Sequence, residues 1–439
     1  MDRRHALASL GASLVGAACA PLPVTARPAP DAPASPAVPP LAVPLGETPP
    51  GDPFWAMVRA QYPLTHDRVY FNTGGLGPAT YSALDTAARI TAELQRLSET
   101  GHNLLEASRA PIAAYFGCGE DELAFTRNAT EANSTVASGL KSLGPGDEVL
   151  FDAHAHPGGS IPWMSRAVQY GIVCRIFEPD APTPDELVAR IEAALTPRTR
   201  VISVSHITAP TGILLPIAQI AELARRRGLW LHVDGAQSAG MVPVDVKAMG
   251  CDSYGTSGHK WLGAPHGTGV LYVRKERLDE IAPTEVGAYS DNGTFDLPST
   301  LSYAPSARRF EPGTRNVALI AGMAAAVAFM SQIGMERVKG YGHALARRAA
   351  AGLRSIPGVT VLSPAHPALA TSITTLKMAN VPYDRLYNYL IGTHKLRCRI
   401  VTERGLDAVR VSTHLFNNED EVDRLIGAVA TAARDGVPG

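Results

Sequence analysis

A single lysine, Lys260, lies in the glycine-rich segment GTSGHKWLGAPHGTG (255–269), next to His259. Upstream, Asp234 ends the apolar run GLWLHVDG, and a carboxylate enclosed there needs a cation or a protonated ring nitrogen as its partner. A turn aspartate before Gly235 is the alternative. A lysine amine enclosed beside other cations loses its charge readily, and the neutral amine is the form that makes a Schiff base with a carbonyl group. Lys260 and Asp234 therefore indicate carbonyl chemistry on a bound ring.

The elements that would position these residues alternate along the middle of the chain. Short apolar runs such as DEVLFD, RVISVSH and LWLHVDG are separated by amphipathic stretches such as TPDELVARIEAALT and PIAQIAELARRRG. This alternation predicts βαβ units and a mostly parallel sheet, in which ligands bind beyond the carboxyl ends of the strands. The polar residues that follow the predicted strands form one rim: Asn128, Ala129, Thr130, His154, His156, His206, Thr208, Asp234, Gln237 and the segment of Lys260.

Two closely spaced histidines on this rim, His154 and His156, could instead be a pair of metal ligands. The sequence offers no matching third cluster of ligands, so it predicts no metal site. The five cysteines, Cys19, Cys118, Cys174, Cys251 and Cys398, contain no CxxC pair. They predict neither a zinc site nor a disulfide framework.

Composition indicates an ordinary globular protein with a large core. The chain has 439 residues, 45% of them hydrophobic, and its 40 Lys and Arg nearly balance its 41 Asp and Glu. No long basic run is present, so nucleic acid is not an expected partner.

The N-terminal residues predict export. Arg3 and Arg4 precede a short apolar stretch, which is typical of a signal peptide over residues 1–26, either of the twin-arginine (Tat) type or of the general secretory type. Cleavage after Ala26 and lipidation of Cys19 are both open. Recurrent prolines over 27–53 predict an extended linker, with structure beginning near Phe54. We therefore expect a periplasmic protein without a transmembrane segment in its mature form.

The segments HVDGAQSAG and YGTSGHKWLGAPHGTGVLYV resemble the class V aminotransferase family, which are pyridoxal 5′-phosphate (PLP) enzymes of fold type I. The resemblance runs from VYFNTGGLGPAT to VRVSTHLFNNEDEVDRL. It implies an α/β fold, with a large PLP-binding domain (79–315) whose mainly parallel seven-stranded sheet is sandwiched by helices. An N-terminal arm (54–78) and a small α+β C-terminal domain (316–439) would complete it.

The resemblance also implies roles for individual residues. Lys260 would bond to the cofactor, Asp234 would hold the ring nitrogen protonated, and Gln237 would contact the ring hydroxyl. His156 would stack on the ring, with His154 as the second choice. The residues implied at the phosphate are Ala129, Thr130, Ser257, His259 and, from the neighbouring subunit of a homodimer, Thr314.

Other positions of the resemblance concern the ring and the substrate. His206 and Thr208 resemble residues that line the ring, although ordinary hydrogen bonds at a strand end would explain them equally. Arg410 resembles the arginine that grips the substrate's α-carboxylate through a bidentate pair, with a surface ion pair as the alternative. Asn72, in the glycine-bearing loop FNTGGLGPA, is a second possible substrate contact.

The reaction is less determined than the cofactor. Cysteine desulfurases of this family carry a nucleophilic cysteine on a loop, whereas Cys398 alternates with Arg397 and Arg399 in an apparent strand. The segments RVSTHLFNN and SGHKWLGAP resemble the isopenicillin-N-epimerase-like branch most. We expect a PLP enzyme that acts on the α-amino group of an amino acid or peptide-derived substrate, by transamination or epimerisation. The alternatives are a C–S or C–C lyase and a non-catalytic protein with the PLP fold.

Overall fold

Helices and strands alternate along the chain in the computed structural model, which describes residues 41–44, 46 and 48–437. The α-helices of these residues are α1 (Pro53–Arg59), α2 (Tyr81–Leu97), α3 (His102–Tyr115), α4 (Ala129–Gly139), α5 (Pro157–Tyr170), α6 (Pro184–Ala194), α7 (Ile217–Arg227), α8 (Val246–Met249), α9 (Val317–Ile333), α10 (Met335–Arg354), α11 (Tyr383–Gly392) and α12 (Glu419–Asp435). The strands are β1 (Val69–Tyr70), β2 (Leu123–Thr126), β3 (Glu148–Asp152), β4 (Val173–Phe177), β5 (Thr199–Ser205), β6 (Trp230–Asp234), β7 (Ser253–Ser257), β8 (Gly269–Val273), β9 (Asp291–Asp296), β10 (Thr300–Tyr303), β11 (Val359–Val361), β12 (Ile373–Met378), β13 (Leu396–Arg397), β14 (Arg399–Val401) and β15 (Ala408–Ser412).

The larger sheet has seven strands in the order β2-β8-β7-β6-β5-β3-β4. All pairs from β7 to β4 are parallel, and β8 runs antiparallel to both of its neighbours. The predicted, mainly parallel seven-stranded sheet is thus confirmed. Because consecutive parallel strands are joined by helices, their carboxyl ends share one edge of the sheet.

Helices cover both faces of this sheet. Along β8, Val270 and Tyr272 belong to one hydrophobic cluster, and Leu271 and Val273 belong to another. Successive side chains of a strand point to opposite faces, so these clusters are the two layers of the core. The strand is buried on both faces, which explains why it reads as a continuous apolar run rather than an alternating one.

A second, four-stranded antiparallel sheet, in the order β11-β12-β15-β14, lies in the C-terminal part of the chain and packs with α10, α11 and α12. This arrangement confirms the predicted small α+β unit. The N-terminal arm is tied to the same region because β1 pairs in parallel with β13 and Asn72 bridges to Ser412. The first and last strands of the fold therefore meet beside the large sheet.

The predicted signal peptide (1–26) and most of the predicted linker lie outside the described residues. The first helix begins at Pro53, where Asp52 caps it by accepting a hydrogen bond from the Phe54 N–H at 2.8 Å. The boundaries at 78/79 and 315/316 stay a prediction. Among the described residues, no single helix is both long and apolar enough to cross a membrane. Only α9 and α10 taken together, with an 80° bend between them, meet those criteria.

Candidate active site

A cavity of about 270 Å³ opens at the carboxyl ends of the parallel strands. One wall carries four residues that the resemblance assigned to a phosphate, namely Ala129, Thr130, Ser257 and His259. The rest of the wall includes five residues assigned to the ring or the substrate, namely His156, Asp234, Gln237, Lys260 and Arg410. The fold thus brings residues from five separate chain segments into one cavity, although their roles stay predictions.

Lys260 follows β7 and extends into this cavity. Burial is the largest effect on its amine and lowers the pKa, Asp234 opposes this shift, and the positive charges of Arg410 and Arg399 add to it. Together these effects bring the pKa to about 8. At pH 7 an amine with this pKa is neutral in about a tenth of the molecules, compared with about one in a few thousand for an ordinary lysine. The amine is therefore available as a nucleophile or as a base.

The carboxylate of Asp234 is buried at the end of β6, beside the amine of Lys260. Its Oδ1 accepts a hydrogen bond from the Ala236 N–H at 2.9 Å, and its Oδ2 accepts one from Asn133 Nδ2 at 2.9 Å. Each oxygen keeps a second lone pair for a ligand in the cavity. Asn133 was not predicted from the sequence.

The residues that the resemblance assigns to a phosphate lie at the N-terminus of α4. The side chain of Asn128 caps this helix by accepting from the Glu131 N–H, and Ser257 Oγ accepts from the Ala129 N–H, both at 2.9 Å. The first-turn N–H groups of a helix have no acceptor within the helix, and its dipole favours an anion there. In the same cavity, His259 Nδ1 is buried without a hydrogen-bond partner among the described residues.

His156 is the N-cap residue of α5, and its Nδ1 accepts a hydrogen bond from the Gly158 N–H at 3.1 Å. Burial lowers the pKa of its imidazole, and the nearby charge of Lys260 lowers it further. The capping contact fixes the ring at the start of α5, on the wall of the cavity. This position agrees with the stacking role implied by the resemblance.

Arg410 is fully buried on β15 and forms no ion pair with another described side chain. Its Nη1 donates to the Ala209 carbonyl at 2.7 Å, its Nη2 donates to Asn72 Oδ1 at 3.3 Å, and its Nε has no partner in the described part of the chain. Burial, and then the charge of Arg399, lowers its pKa to about 9. A buried guanidinium in this state is stabilised by an arriving anion, as a carboxylate-binding residue requires. Asn72 acts here through Arg410, since it does not line the cavity.

Arg399 is a cavity residue that the sequence analysis did not single out. It lies on β14 directly opposite Arg410 on β15, and its Nη2 forms an ion pair with Glu403 at 2.5 Å. Like charges placed opposite each other in a sheet are unfavourable. Glu403 pairs directly with Arg399, and its charge also acts on Arg410, although it forms no ion pair with Arg410. Both arginines line the same cavity, and Arg410 has no directly paired carboxylate among the described residues.

Three residues assigned to the ring do not line the cavity. The Thr208 hydroxyl contacts Thr211 Oγ1 at 2.9 Å and accepts from the Ile213 N–H at 2.9 Å. His154 Nδ1 contacts the same Thr211 hydroxyl at 3.0 Å, and His206 is buried separately. The structure therefore favours the alternative for Thr208, in which it makes ordinary hydrogen bonds beside a strand end. It also favours His156 over His154 as the stacking residue.

Thr314 is exposed and outside the cavity of its own chain. This location neither assigns nor removes its predicted contact with a neighbouring subunit, which stays a prediction.

The N-terminal arm closes the cavity beside Lys260. The Gly77 N–H donates to the His259 carbonyl at 2.9 Å, and a Cβ on Gly77 would lie 1.8 Å from the Lys260 carbonyl oxygen. Gln237 holds the same arm, because its Nε2 donates to the Gly74 carbonyl at 2.8 Å. No residue larger than glycine fits at position 77 without moving the backbone of Lys260.

The site has the groups that PLP requires. A helix N-terminus with His259 Nδ1 unpartnered among the described residues suits the phosphate, Asp234 suits the ring nitrogen, and the amine of Lys260, with its lowered pKa, suits the aldehyde. Within the described residues, no group of three or more His, Cys, Asp or Glu is placed to hold a metal ion.

The cysteines lie away from this chemistry. Cys398, between β13 and β14, is fully buried, and burial raises the pKa of its thiol to about 12. The described cysteines, Cys118, Cys174, Cys251 and Cys398, are free thiols, and none lines the cavity.

Comparison with known proteins places this site in a family. A sequence model described as "Aminotransferase class-V" matches residues 80–425. Isopenicillin N epimerase of Amycolatopsis lactamdurans is 32% identical over 388 residues, which is 85% of this chain and 98% of the epimerase. A cysteine desulfurase of Klebsiella pneumoniae is 31% identical over 76% of this chain and 84% of its own.

A solved structure of a C-DES variant, with glycine covalently linked to its PLP cofactor, superimposes with a TM-score of 0.77 at 27% identity. The match covers 85% of this chain and 98% of that one. The predicted fold type I architecture is thereby confirmed.

Proposed function

Since the chain belongs to the aminotransferase class-V family, we propose that it moves the proton on Cα of an amino acid or a peptide-derived amino acid, with epimerisation as the outcome. The observation that carries the proposal is the enclosure of Lys260 and Arg410 in one cavity. An amine with a pKa of about 8 and a carboxylate-binding guanidinium there face the same substrate. The likeness to isopenicillin N epimerase over nearly its whole length supports epimerisation.

PLP is the cofactor of this enzyme. When bound, it supplies an electron-withdrawing ring that weakens the bonds at the substrate's Cα. Lys260 would accept the Cα proton at its Nζ, Arg410 would hold the α-carboxylate, and Asp234 would keep the positive charge of the ring nitrogen in place. Inversion follows when a proton returns to the face of Cα opposite the one that lost it. His156 covers the cavity on the α5 side and keeps water away from the reacting carbon.

Transamination is the second candidate because it also requires Lys260 to remove the Cα proton. The fold alone does not decide between the two reactions. A C–S lyase is a third candidate, supported by the likeness to a cysteine desulfurase. The buried thiol of Cys398, with its pKa raised to about 12, argues against a persulfide-forming version.

The test is to incubate the purified protein with L- and D-amino acids in D₂O and to record the absorption spectrum of the cofactor. The deuterium content, optical rotation and keto-acid content of the amino-acid solution are measured alongside. Epimerisation predicts deuterium at Cα and loss of optical rotation, with no keto acid and with the cofactor band unchanged. Release of keto acid with a pyridoxamine-type band would support transamination, and released pyruvate or sulfide would support a lyase.

Lys260→Ala tests the assignment of the base. We expect it to remove the visible band of the bound cofactor and to abolish deuterium uptake at Cα. The variant should keep the fold, which circular dichroism checks. An unchanged band in this variant would overturn the role of Lys260.

We propose in addition that the enzyme works in the periplasm. The support is the sequence of residues 1–26, with Arg3 and Arg4 before the apolar stretch. The double variant Arg3→Lys/Arg4→Lys should accumulate in the cytoplasm if export follows the twin-arginine route. Unchanged export of this variant would indicate the general secretory route, and a cytoplasmic wild-type protein would refute export.

We also propose a homodimer in which Thr314 reaches the phosphate site of the partner. The exposure of Thr314 is compatible with such a contact. Mixing Lys260→Ala and Thr314→Ala subunits should restore one tight cofactor site per mixed dimer. Absence of any restored binding, or a monomer in light scattering, would reject this arrangement.

A further inference from the structure

A chain of buried side chains runs from Trp230 to Asp234 beneath the cavity. Trp230 Nε1 lies 3.0 Å from Ser253 Oγ, and Ser253 Oγ lies 2.8 Å from His232 Nδ1. His232 Nε2 lies 3.0 Å from Asn133 Oδ1, and Asn133 Nδ2 lies 2.9 Å from Asp234 Oδ2. All five residues are buried.

The direction of each hydrogen bond in this chain is determined by chemistry. Asn133 Nδ2 also lies 3.1 Å from the Gly158 carbonyl, so it faces two acceptors and must be the amide nitrogen. Asn133 Oδ1 is then an acceptor, and His232 Nε2 must carry the proton. From the other end, the indole N–H of Trp230 can only donate to Ser253.

The neutral form of His232 completes the pattern. Burial lowers the pKa of its imidazole to about 4, and Asp234 is the charged group that opposes this shift. With the proton on Nε2, its Nδ1 has a lone pair and accepts from the Ser253 hydroxyl. Every bond therefore points from Trp230 towards the carboxylate of Asp234, and no member of the chain lacks a partner.

The backbone leaves room for this arrangement at one glycine. A Cβ on Gly255, in β7, would lie 2.7 Å from Asn133 Oδ1 and would push the amide away from His232. The register of β6 and β7, in which His232 is opposite Ser253, brings the imidazole and the hydroxyl together. The hydrogen bonds from Trp230 to Asp234 thus depend on strand pairing as well as on residue type.

We propose that His232, Ser253 and Asn133 are positioning residues, which hold the Asp234 carboxylate in one orientation with its free lone pairs towards the ring nitrogen of the cofactor. None of the three needs to touch the substrate. Their effect reaches the reaction through Asp234, whose orientation decides whether the ring nitrogen keeps its proton. The inference rests on the role of Asp234 towards PLP.

The first test locates hydrogens directly. Neutron diffraction from deuterated crystals of the PLP-loaded enzyme should show deuterium on His232 Nε2, none on Nδ1, and the Asn133 ND₂ group facing Asp234. Deuterium on His232 Nδ1, or an Asn133 oxygen facing Asp234, would refute the proposed directions of these hydrogen bonds. This conclusion would hold whichever reaction the enzyme catalyses.

The second test compares three variants by the ¹⁵N chemical shift of ring-labelled PLP bound to each. His232→Leu removes both hydrogen bonds of the imidazole, and the ring nitrogen should move towards the unprotonated value, with PLP bound about tenfold more weakly. His232→Gln keeps a donor towards Asn133 and should restore most of the shift. His343→Leu is the control, since it removes a half-buried histidine of lowered pKa that lies on α10.

The outcomes separate the possible errors. A ring-nitrogen shift that is identical in wild type, His232→Leu and His343→Leu would refute the positioning role. If the ring-nitrogen chemical shift of His232→Gln equals that of His232→Leu, packing rather than hydrogen bonding matters at this position. That result would count against the proposal. If Lys260→Ala also left the cofactor spectrum unchanged, the cofactor site itself would be misassigned, which is a different failure.

Discussion

Arg410 is a fully buried cation that lacks an anionic partner within the described chain. We expect Arg410→Ala to raise the KM for α-carboxylate substrates by an amount that corresponds to about 2–5 kcal/mol, because a desolvated charge pair is lost. The measurement is steady-state kinetics with an amino acid and its amide, which lacks the carboxylate. Arg348→Ala, at an exposed ion pair with Asp423, is the control and should leave KM unchanged.

We expect Arg399, which is paired with Glu403, to contact the side chain of the substrate. Glu403→Gln removes the anion that neutralises Arg399, so the cavity gains positive charge next to Arg410. We expect the kcat/KM ratio of dicarboxylic to monocarboxylic amino acids to rise about tenfold. Competition assays between the two substrate classes measure this ratio directly. An unchanged ratio would show that Arg399 does not contact the side chain of the substrate.

At the scale of elements, the connection between β13 and β14 leads us to expect that Cys398 forms no persulfide. Cys398 is the single residue between these strands and is fully buried, so no mobile loop carries its thiol to the cavity. Cys398→Ala should keep at least about a third of the activity, since only a small core volume is lost. Iodoacetamide should fail to label Cys398 in the native enzyme. A complete loss of activity in a folded Cys398→Ala enzyme would revive the desulfurase reaction.

The N-terminal arm makes a second prediction at this scale. Gly77→Ala places a Cβ 1.8 Å from the Lys260 carbonyl oxygen, so the backbone around Lys260 must move. We expect at least a tenfold loss of PLP affinity, measured by equilibrium dialysis. Gly427→Ala in α12 is the matched control, because nothing lies within 4 Å of the new methyl group. This control should bind PLP normally and gain about 0.5–1 kcal/mol of stability.

The elements show which part of the site a single sequence can predict. Residues that directly follow parallel strands, such as Asp234, are predictable because the ends of these strands share one edge. Arg399 was missed because its approach to Arg410 depends on the register of β14 against β15, which residue spacing does not give. The sequence leaves two readings of Thr208 open because the partner of its hydroxyl, Thr211, becomes visible only when the turn is folded.

At the scale of the whole molecule, buried histidines make stability depend on pH. Burial lowers the pKa of His206, His232, His343 and His414 to about 4, from 6.5 in an unfolded chain. Between these values the unfolded chain binds more protons, so the free energy of unfolding falls as the pH is lowered from 6.5 to 4. Each histidine contributes a slope of up to about 1.4 kcal/mol per pH unit.

Denaturant titrations of the PLP-free protein from pH 7 to pH 4 measure this slope. His343→Leu should flatten it by up to one proton, because burial and the charges of Lys339 and Arg347 lower the pKa of this histidine in the folded protein. Asp152 acts in the opposite sense, since burial raises its pKa to about 6 and its protonation stabilises the fold below that pH. A slope that His343→Leu leaves unchanged would show that this histidine is already protonated in the folded protein.

The joining of β1 to β13 and the burial of Arg410 on β15 have a consequence for biosynthesis. The ribosome makes the arm of Gly77 first and the strand of Arg410 almost last, yet both border the same cavity. A nascent chain therefore has no finished cofactor pocket until translation is nearly complete. Capture of PLP becomes a checkpoint on full-length synthesis, because truncated chains have no closed pocket to retain it.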